Sequence, residues 1–274
     1  MSETPPKDEM SFLDHLEELR WHLIRSVLAI VIIGTIAFLF KDFIFDVLLF
    51  GPKNKDFITY RWFCSISQTL GQGSSFCIEE LPFRIQSRTV AGQFSAHLWT
   101  SVLAGFILSF PYIIYEFWKF ISPGLYEKER KNARGFIFIA SILFFIGVLF
   151  GYYIVTPLSI NFLGNYSVSS EIFNDFDLSS YIGLLRASVL ASGIIFELPI
   201  IIYFLTRVGV ITPEFLKKNR KISLVLVLSL SAIITPPDVV SQIIVSIPIL
   251  ILYEVSIIIA KIVTKNQDKA LQND

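Results

Sequence analysis

The sequence predicts an all-α integral membrane protein with six transmembrane helices and both ends in the cytoplasm. Three observations predict this fold class: the composition, a series of long apolar stretches, and the distribution of Lys and Arg. Of the 274 residues, 53% are hydrophobic, 15% are aromatic and only 17% are charged, whereas about a quarter of the residues of a soluble domain are charged. The formal net charge is zero, so no overall basic field points to nucleic acid as a partner.

Six apolar stretches are candidates for crossing the roughly 30 Å hydrocarbon core of a bilayer. The fifth is too short for an ordinary bilayer, and a segment with two prolines, 235–238, separates it from the sixth. We therefore expect the fifth and sixth helices to be short. The whole chain, 1–274, is interpreted as a single polytopic domain with an outer loop at 41–88. The predicted spans are about 21–40, 94–115, 136–158, 181–206, 222–234 and 239–260.

Lys and Arg residues are divided unevenly between alternate loops. The N-terminal segment, the second and fourth loops and the C-terminal tail hold 16 of the 23, and the other loops hold 7. Cytoplasmic loops of membrane proteins carry an excess of Lys and Arg, so we expect both ends on the cytoplasmic side. The first twenty residues are acidic, unlike the basic start of a cleaved signal peptide, and we expect the first apolar stretch to remain in the protein.

Residues 11–20 are expected to form an amphipathic helix at the membrane surface, because their apolar side chains fall on one helical face. Such a helix is commonly only an orientation anchor. The acidic residues of this segment are unusual at the cytoplasmic face, because the cytoplasmic leaflet is itself negative and repels carboxylates. They would attract a cationic ligand. These acids are Asp14, Glu17 and Glu18.

Glu197 lies 11 residues after Arg186 and 10 before Arg207, near the middle of the fourth predicted span. Carboxylates at that depth are costly and usually face the interior of a helix bundle or a wet cavity. Pro199 lacks an N–H and is expected to leave the carbonyl of Ile195 unpaired. Both an interhelical hydrogen bond and a role in binding or translocation remain open for Glu197.

The only two cysteines, Cys64 and Cys77, lie in the predicted outer loop. An oxidising compartment would permit a disulfide between them, and two unpaired thiols are the alternative. Three scattered histidines do not indicate a metal centre. Motifs of nucleotide-binding proteins, zinc proteases and serine hydrolases are absent. We therefore predict no metal, no cofactor and no enzymatic activity.

Four motifs occur in an order typical of one protein family. The first precedes the first span, the second lies in the second loop, the third is in the fourth span, and the last separates the final two spans. They are FLDHLEELR at 12–20, FISPGLYEKER at 120–130, FELP at 196–199 and TPPDVVSQ at 235–242. On these motifs the chain resembles the TatC family, the core component of the twin-arginine protein translocase, over about residues 10–262.

The resemblance implies a concave, glove-like bundle of six helices in the bacterial inner membrane. It would receive folded precursor proteins whose signal peptides carry an Arg-Arg pair, and export would be driven by the proton-motive force. The residues implied for signal-peptide binding are Glu18, Glu129, Phe120 and Arg20. A guanidinium is a planar fork of donors that carboxylates accept in bidentate pairs. The rings of Phe120 and Trp118 are expected to pack beside the guanidinium or beside the apolar segment of the signal peptide.

The resemblance also implies partner proteins within the membrane. Glu197, together with Pro199 and Gln242, would contact single-span TatA/TatB-type subunits in an oligomeric complex surrounded by lipid. An alternative from another class is a proton-coupled small-solute transporter that uses Glu197 as its proton carrier. Such a transporter would move its solute as a single purified polypeptide, which a translocase component would not do.

Overall fold

The fold is largely helical. A computed structural model describes residues 12–69, 71, 77, 81–121, 133–169 and 171–271, with the backbone alone at 12–14, 133–134 and 268–271. A π-helical turn, Gly151–Val155, joins α4 to α5 in one continuous helix. The helices are α1 (Phe12–Leu39), α2 (Ile58–Thr69), α3 (Gly92–Ile121), α4 (Ala133–Phe150), α5 (Thr156–Asn165), α6 (Leu178–Phe196), α7 (Leu198–Arg207), α8 (Pro213–Lys218), α9 (Arg220–Ile234) and α10 (Val239–Leu271).

Five helical stretches of the described residues are long and apolar enough to cross a membrane. α9 is apolar but has only 15 residues, about 22 Å of helix, which is less than the usual hydrocarbon thickness. The chain is therefore a multi-pass membrane protein. The five stretches are His15–Leu39, Gly92–Ile121, Gly135–Asn165, Leu178–Arg207 and Val239–Gln267.

Two helices differ from the sequence-based expectation. α1 runs unbroken from Phe12 into the first span, with no separate surface helix at 11–20, because no proline interrupts it. α10 has 33 residues, so the expectation of a short last helix is wrong. Pro248 lies inside α10 without ending it, and the Lys, Gln and Ala residues after the apolar part are good helix formers.

By its internal contacts the chain separates into two compact units. The first unit comprises Met1–Leu39 and Ser101–Ser141, and the second comprises the rest of the chain. In the first unit, α1 and α3 approach closely at two glycines. A Cβ on Gly105 would lie 2.5 Å from the carbonyl oxygen of Ile30 and 2.8 Å from Cα of Gly34. Such small-residue contacts are a typical way for membrane helices to pack.

In the second unit, α4 and the π-helical turn pack against α6 through Gly147 and Gly151. A Cβ on Gly147 would lie 2.6 Å from the carbonyl oxygen of Ser192, and one on Gly151 would lie 2.7 Å from that of Ser188. Glycines four residues apart thus form a close helix contact of the kind common in membranes. Among the described residues, the unit also contains apolar clusters, one of Val155, Val227, Val245 and Ile249 and another of Ile202, Leu216, Tyr253, Ile257 and Ala260.

The segment predicted as an outer loop, 41–88, contains regular structure. Strand β1 (Arg84–Gln86) pairs in parallel with strand β2 (Asp175–Asp177), with Ile85 opposite Phe176. β1 precedes α3 and β2 follows α5, so the pairing places the segments before α3 and after α5 on the same side of the membrane. Besides α2, the elements are a π-helix (Phe43–Leu49), a 3-10 turn (Gly51–Lys53), β1 (Arg84–Gln86) and, later in the chain, β2 (Asp175–Asp177).

Side-chain bonds tie this segment to the helices of the second unit. The Tyr60 hydroxyl donates to the carbonyl of Pro52 at 2.9 Å and lies 3.2 Å from that of Pro157. In the structure, Cys64 in the middle of α2 and Cys77 are joined by a disulfide. These links explain why a segment rich in polar residues is folded and not simply a flexible connection.

The close contact at Gly147 predicts a stability difference between two Gly-to-Ala variants. Gly147→Ala places a methyl group against the Ser192 backbone, and overpacking of this kind costs about 1–3 kcal/mol. Gly183→Ala is the matched control in α6, because its Cβ meets no atom within 4 Å and alanine favours a helix. Thermal unfolding in detergent should show a lower midpoint for Gly147→Ala and an unchanged or higher one for Gly183→Ala. Equal shifts for both variants would contradict the close packing.

Candidate functional site

In the first unit, polar side chains line the side of α1 that faces α3. His15, Glu18, His22 and Arg25 recur every three or four residues, so they lie along one side of the helix. Phe120, near the end of α3, stacks on His15 with ring centroids 4.4 Å apart. The same ring meets His22 edge-on at 6.3 Å. Phe120 therefore packs against the side of α1 that carries these polar residues.

Glu116 on α3 is at the centre of this cluster, with its side chain 2% exposed. The His22 Nδ1 atom lies 2.6 Å and the Arg25 Nη1 atom 3.5 Å from its Oε2 atom. The Lys119 Nζ atom lies 3.9 Å from Oε1, and the Tyr112 hydroxyl also donates to the carboxylate. A buried carboxylate is tolerated when it is paired and hydrogen-bonded in this way. Glu116 is therefore fully engaged by groups of its own chain.

Glu18, one turn before His22, has a different environment. The residue is half-buried, and its Oε2 atom is shielded from solvent without a hydrogen-bond partner among the described residues. His22 lies four residues further along α1, within reach of Glu18 on a helix, but its ring is turned to Glu116. The structure thus leaves the Glu18 Oε2 atom without a partner among the described residues, on the same side of α1 as His15 and His22.

Other predicted residues are placed differently. Arg20 is two residues from Glu18, about 200° around the helix, and its guanidinium carbon lies 5.6 Å from the Trp21 ring centroid. The structure therefore does not bring Arg20 together with Glu18. Trp118 is buried against Phe136 of α4, with ring centroids 4.7 Å apart. That burial removes Trp118 from the surface where a guanidinium was expected to pack. Glu129 lies outside the described residues.

Glu116 was missed by the sequence reasoning. In the sequence it is only the charged residue at the end of the apolar stretch that follows Arg88. A signal was present, because Lys119 follows Glu116 by three residues, and His22 and Arg25 stand at the corresponding end of the first span. Only the pairing of α1 with α3, which the sequence does not show, joins these residues in one cluster.

In the second unit, Glu197 lies at the break between α6 and α7. It is 8% exposed, and its Oε1 atom is buried without a hydrogen-bond partner among the described residues. The carboxylate also interacts with the backbone of Phe144. The Glu197 N–H reaches the carbonyls of Ile194 and Ile195. The expectation that Pro199 leaves the Ile195 carbonyl unpaired is therefore wrong, because the chain tightens into a turn at Glu197.

The turn between α9 and α10 is held by hydrogen bonds. The Gln242 side chain donates to the carbonyl of Leu228 at 3.0 Å and so links the two helices. Asp238 caps α10 by accepting from the N–H of Ser241 at 2.8 Å and from its hydroxyl at 2.6 Å. Partial burial acts to raise the pKa of Asp238, but the bonds from Ser241 and Val240 hold that pKa below its usual range. Asp238 therefore stays ionised as the cap.

The described side chains are arranged for ion pairing and hydrogen bonding. Among the residues that the structure describes, no three His, Cys, Asp or Glu side chains are grouped so that they could hold a metal ion. His15 and His22 contact Phe120, and His97 packs edge-on against Phe45 at 5.6 Å. The two candidate sites are therefore a carboxylate-aromatic cluster in the first unit and a buried carboxylate in the second.

Comparison with known proteins identifies the family. Residues 14–248 match the family model of TatC, the Sec-independent protein translocase protein. A TatC from Blattabacterium sp. subsp. Periplaneta americana is 48% identical over 262 residues, covering 95% of this chain and 98% of the relative. The TatC of Aquifex aeolicus is 35% identical over 259 residues, covering 94% and 98% of the two chains.

A solved structure agrees with these relatives. A crystal structure described as the twin arginine translocase receptor TatC superposes with a TM-score of 0.67 at 33% identity, covering 91% of this chain and 99% of that one. The resemblance seen in the four sequence motifs is confirmed, and the matches do not favour a small-solute transporter. The protein is a multi-pass membrane component of protein transport by twin-arginine translocation. The chain belongs to the TatC family of Sec-independent protein translocase proteins.

Proposed function

We propose that the protein is the receptor component of a twin-arginine translocase and acts without enzymatic turnover. Arg-Arg signal peptides would bind at its cytoplasmic face through Glu18, Glu129 and Phe120. The observation that carries this proposal is the Glu18 Oε2 atom, which is shielded from solvent and has no partner among the described residues. The relative of known crystal structure is itself described as a twin arginine translocase receptor.

The chemistry of the cluster fits a guanidinium. A carboxylate accepts two parallel N–H bonds from arginine, and such charge-assisted bonds are stronger than neutral ones. Phe120 contacts His15 and His22, which flank Glu18 on the same side of α1, and a planar cation gains further attraction near an aromatic ring. Glu129 would supply the second carboxylate for the second arginine. Arg20, on the opposite side of α1, has no support from this geometry for the same role.

For the membrane topology, we propose six spans with both ends in the cytoplasm of a bacterium and the protein in its inner membrane. α9 would be the short additional span, crossing where the bilayer is thinned. Two findings support this arrangement: the excess of Lys and Arg in alternate loops, and the β1–β2 pairing that joins two predicted outer segments. The Cys64–Cys77 disulfide would then face the oxidising side of the membrane.

Within the membrane, we propose that Glu197 contacts single-span TatA/TatB-type subunits of an oligomeric complex driven by the proton-motive force. An unpaired polar atom in hydrocarbon is costly, so a partner helix that offers a donor to the buried Oε1 atom would gain affinity. Pro199 fixes the break that presents Glu197. Gln242 would belong to the same partner surface, because its bond to Leu228 holds the turn between α9 and α10 in place.

Binding of a twin-arginine peptide should depend on Glu18 and not on its neighbour. Glu18→Gln keeps the side-chain size but removes the charge, so we expect binding to weaken by about tenfold or more, the usual value of a charge-assisted pair. Glu17→Gln is the matched control, because Glu17 is exposed on an adjacent face. Fluorescence anisotropy of a labelled peptide with the protein in lipid nanodiscs measures both. Equal affinities for the two variants would contradict the assignment.

Recovery of single-span subunits should depend on Glu197. Glu197→Ala removes the buried carboxylate, and we expect several-fold less partner subunit on co-purification from membranes, because the intramembrane hydrogen bond is lost. Glu254→Ala is the control, since that exposed acid on α10 pairs with Arg220 at 2.7 Å. If both variants retain the partner equally, Glu197 has only a role inside the chain.

A further inference from the structure

We infer that Glu116 is a positioning residue that keeps the signal-peptide site vacant by holding His22 away from Glu18. The inference rests on the proposed function, in which Glu18 binds a guanidinium. It adds a residue that does not itself meet the peptide. Glu116 acts through the side chains of α1, across the contact between α1 and α3 in the first unit.

The spacing on α1 creates a competition for Glu18. His22 follows Glu18 by four residues, and side chains at that separation on a helix are neighbours that pair readily. An imidazole N–H is a donor that a carboxylate accepts. Without another acceptor, His22 would bond the same Glu18 oxygen that an incoming arginine needs. The structure instead places Nδ1 of His22 2.6 Å from Glu116.

Glu116 is suited to this task because it does not depend on His22 alone. Arg25 and Lys119 lie 3.5 Å and 3.9 Å from its two oxygens, and both carry permanent charge at neutral pH. The carboxylate is therefore held by two cations besides His22. Its oxygens are already occupied by donors of its own chain, and the side chain is 2% exposed. Glu116 is thus an unsuitable receptor for a second guanidinium.

The same bond also orients the aromatic part of the site. With His22 held by Glu116, its ring meets Phe120 edge-on, and the opposite contact of Phe120 is the stacked ring of His15. Such edge-on and stacked contacts are the favoured geometries of aromatic pairs. Release of His22 would therefore both cover Glu18 and loosen Phe120. Both effects weaken binding of an arginine peptide.

The test is a double-mutant cycle on Glu116 and His22, with affinity for a twin-arginine peptide measured in nanodiscs. Glu116→Gln should weaken binding by about threefold or more, because the neutral amide holds His22 less firmly and His22 can then pair with Glu18. Adding His22→Phe removes the competing N–H donor but keeps a ring beside Phe120, and it should restore at least part of that loss. A purely structural role of Glu116 gives no such rescue, because the second substitution removes a further contact.

Two additional variants distinguish failure of the role of Glu116 from misfolding and from failure of the proposed function. Glu116→Asp retracts the carboxylate from His22 but keeps its charge beside Arg25 and Lys119, so it serves if Glu116→Gln does not fold. It should show a smaller loss of peptide affinity, which His22→Phe again reduces. Glu18→Gln separates the two hypotheses. If it binds as well as the wild type, the proposed function fails. If it loses binding but the double variants recover nothing, only the role of Glu116 is wrong.

Discussion

In the hydrocarbon of a bilayer a polar group has no water to bond, and an unpaired one costs several kcal/mol. This constraint explains most of the structure. Helices satisfy the hydrogen-bonding groups of the backbone. The contact of Gly34 with Gly105, and the contacts of Gly147 and Gly151 with α6, let the helices pack closely enough to exclude lipid. Among the acids, Glu116 is surrounded by donors of its own chain, whereas Glu18 and Glu197 each keep a buried oxygen without a partner in the described part of the chain. The first is a structural centre, and the other two are the proposed binding groups.

Much of the fold was accessible from the sequence, because long apolar stretches have few alternatives to spanning helices. The ends of the helices were harder to predict from the sequence. α10 continues far past its apolar part, since the polar residues that follow are also good helix formers. The β1–β2 pair and the folded segment before α3 were not predicted, because three-residue strands leave no periodic pattern. Their pairing depends on contacts between segments that are far apart in the chain.

Only part of the candidate site could be predicted from the sequence. Glu18 and Glu197 attracted attention because each is an acid where acids are rare. Glu116 did not, since at the end of an apolar stretch it resembles an ordinary boundary residue, and its burial follows only from the contact of α1 with α3. Conversely, the ring of Trp118 packs against Phe136, which depends on helix packing that the sequence does not reveal. Sequence position thus identified unusual charges but not their partners.

The most direct test of the proposed receptor site is to map where the arginine pair of a signal peptide lies. A photoreactive residue placed beside the Arg-Arg pair is cross-linked to the protein in nanodiscs, and the adducts are located by mass spectrometry. We expect adducts on α1 around Glu18 and on α3 around Phe120, and their loss when the arginines are replaced by glutamine. Adducts confined to α6 and α7 around Glu197, or unchanged by that replacement, would contradict the assignment.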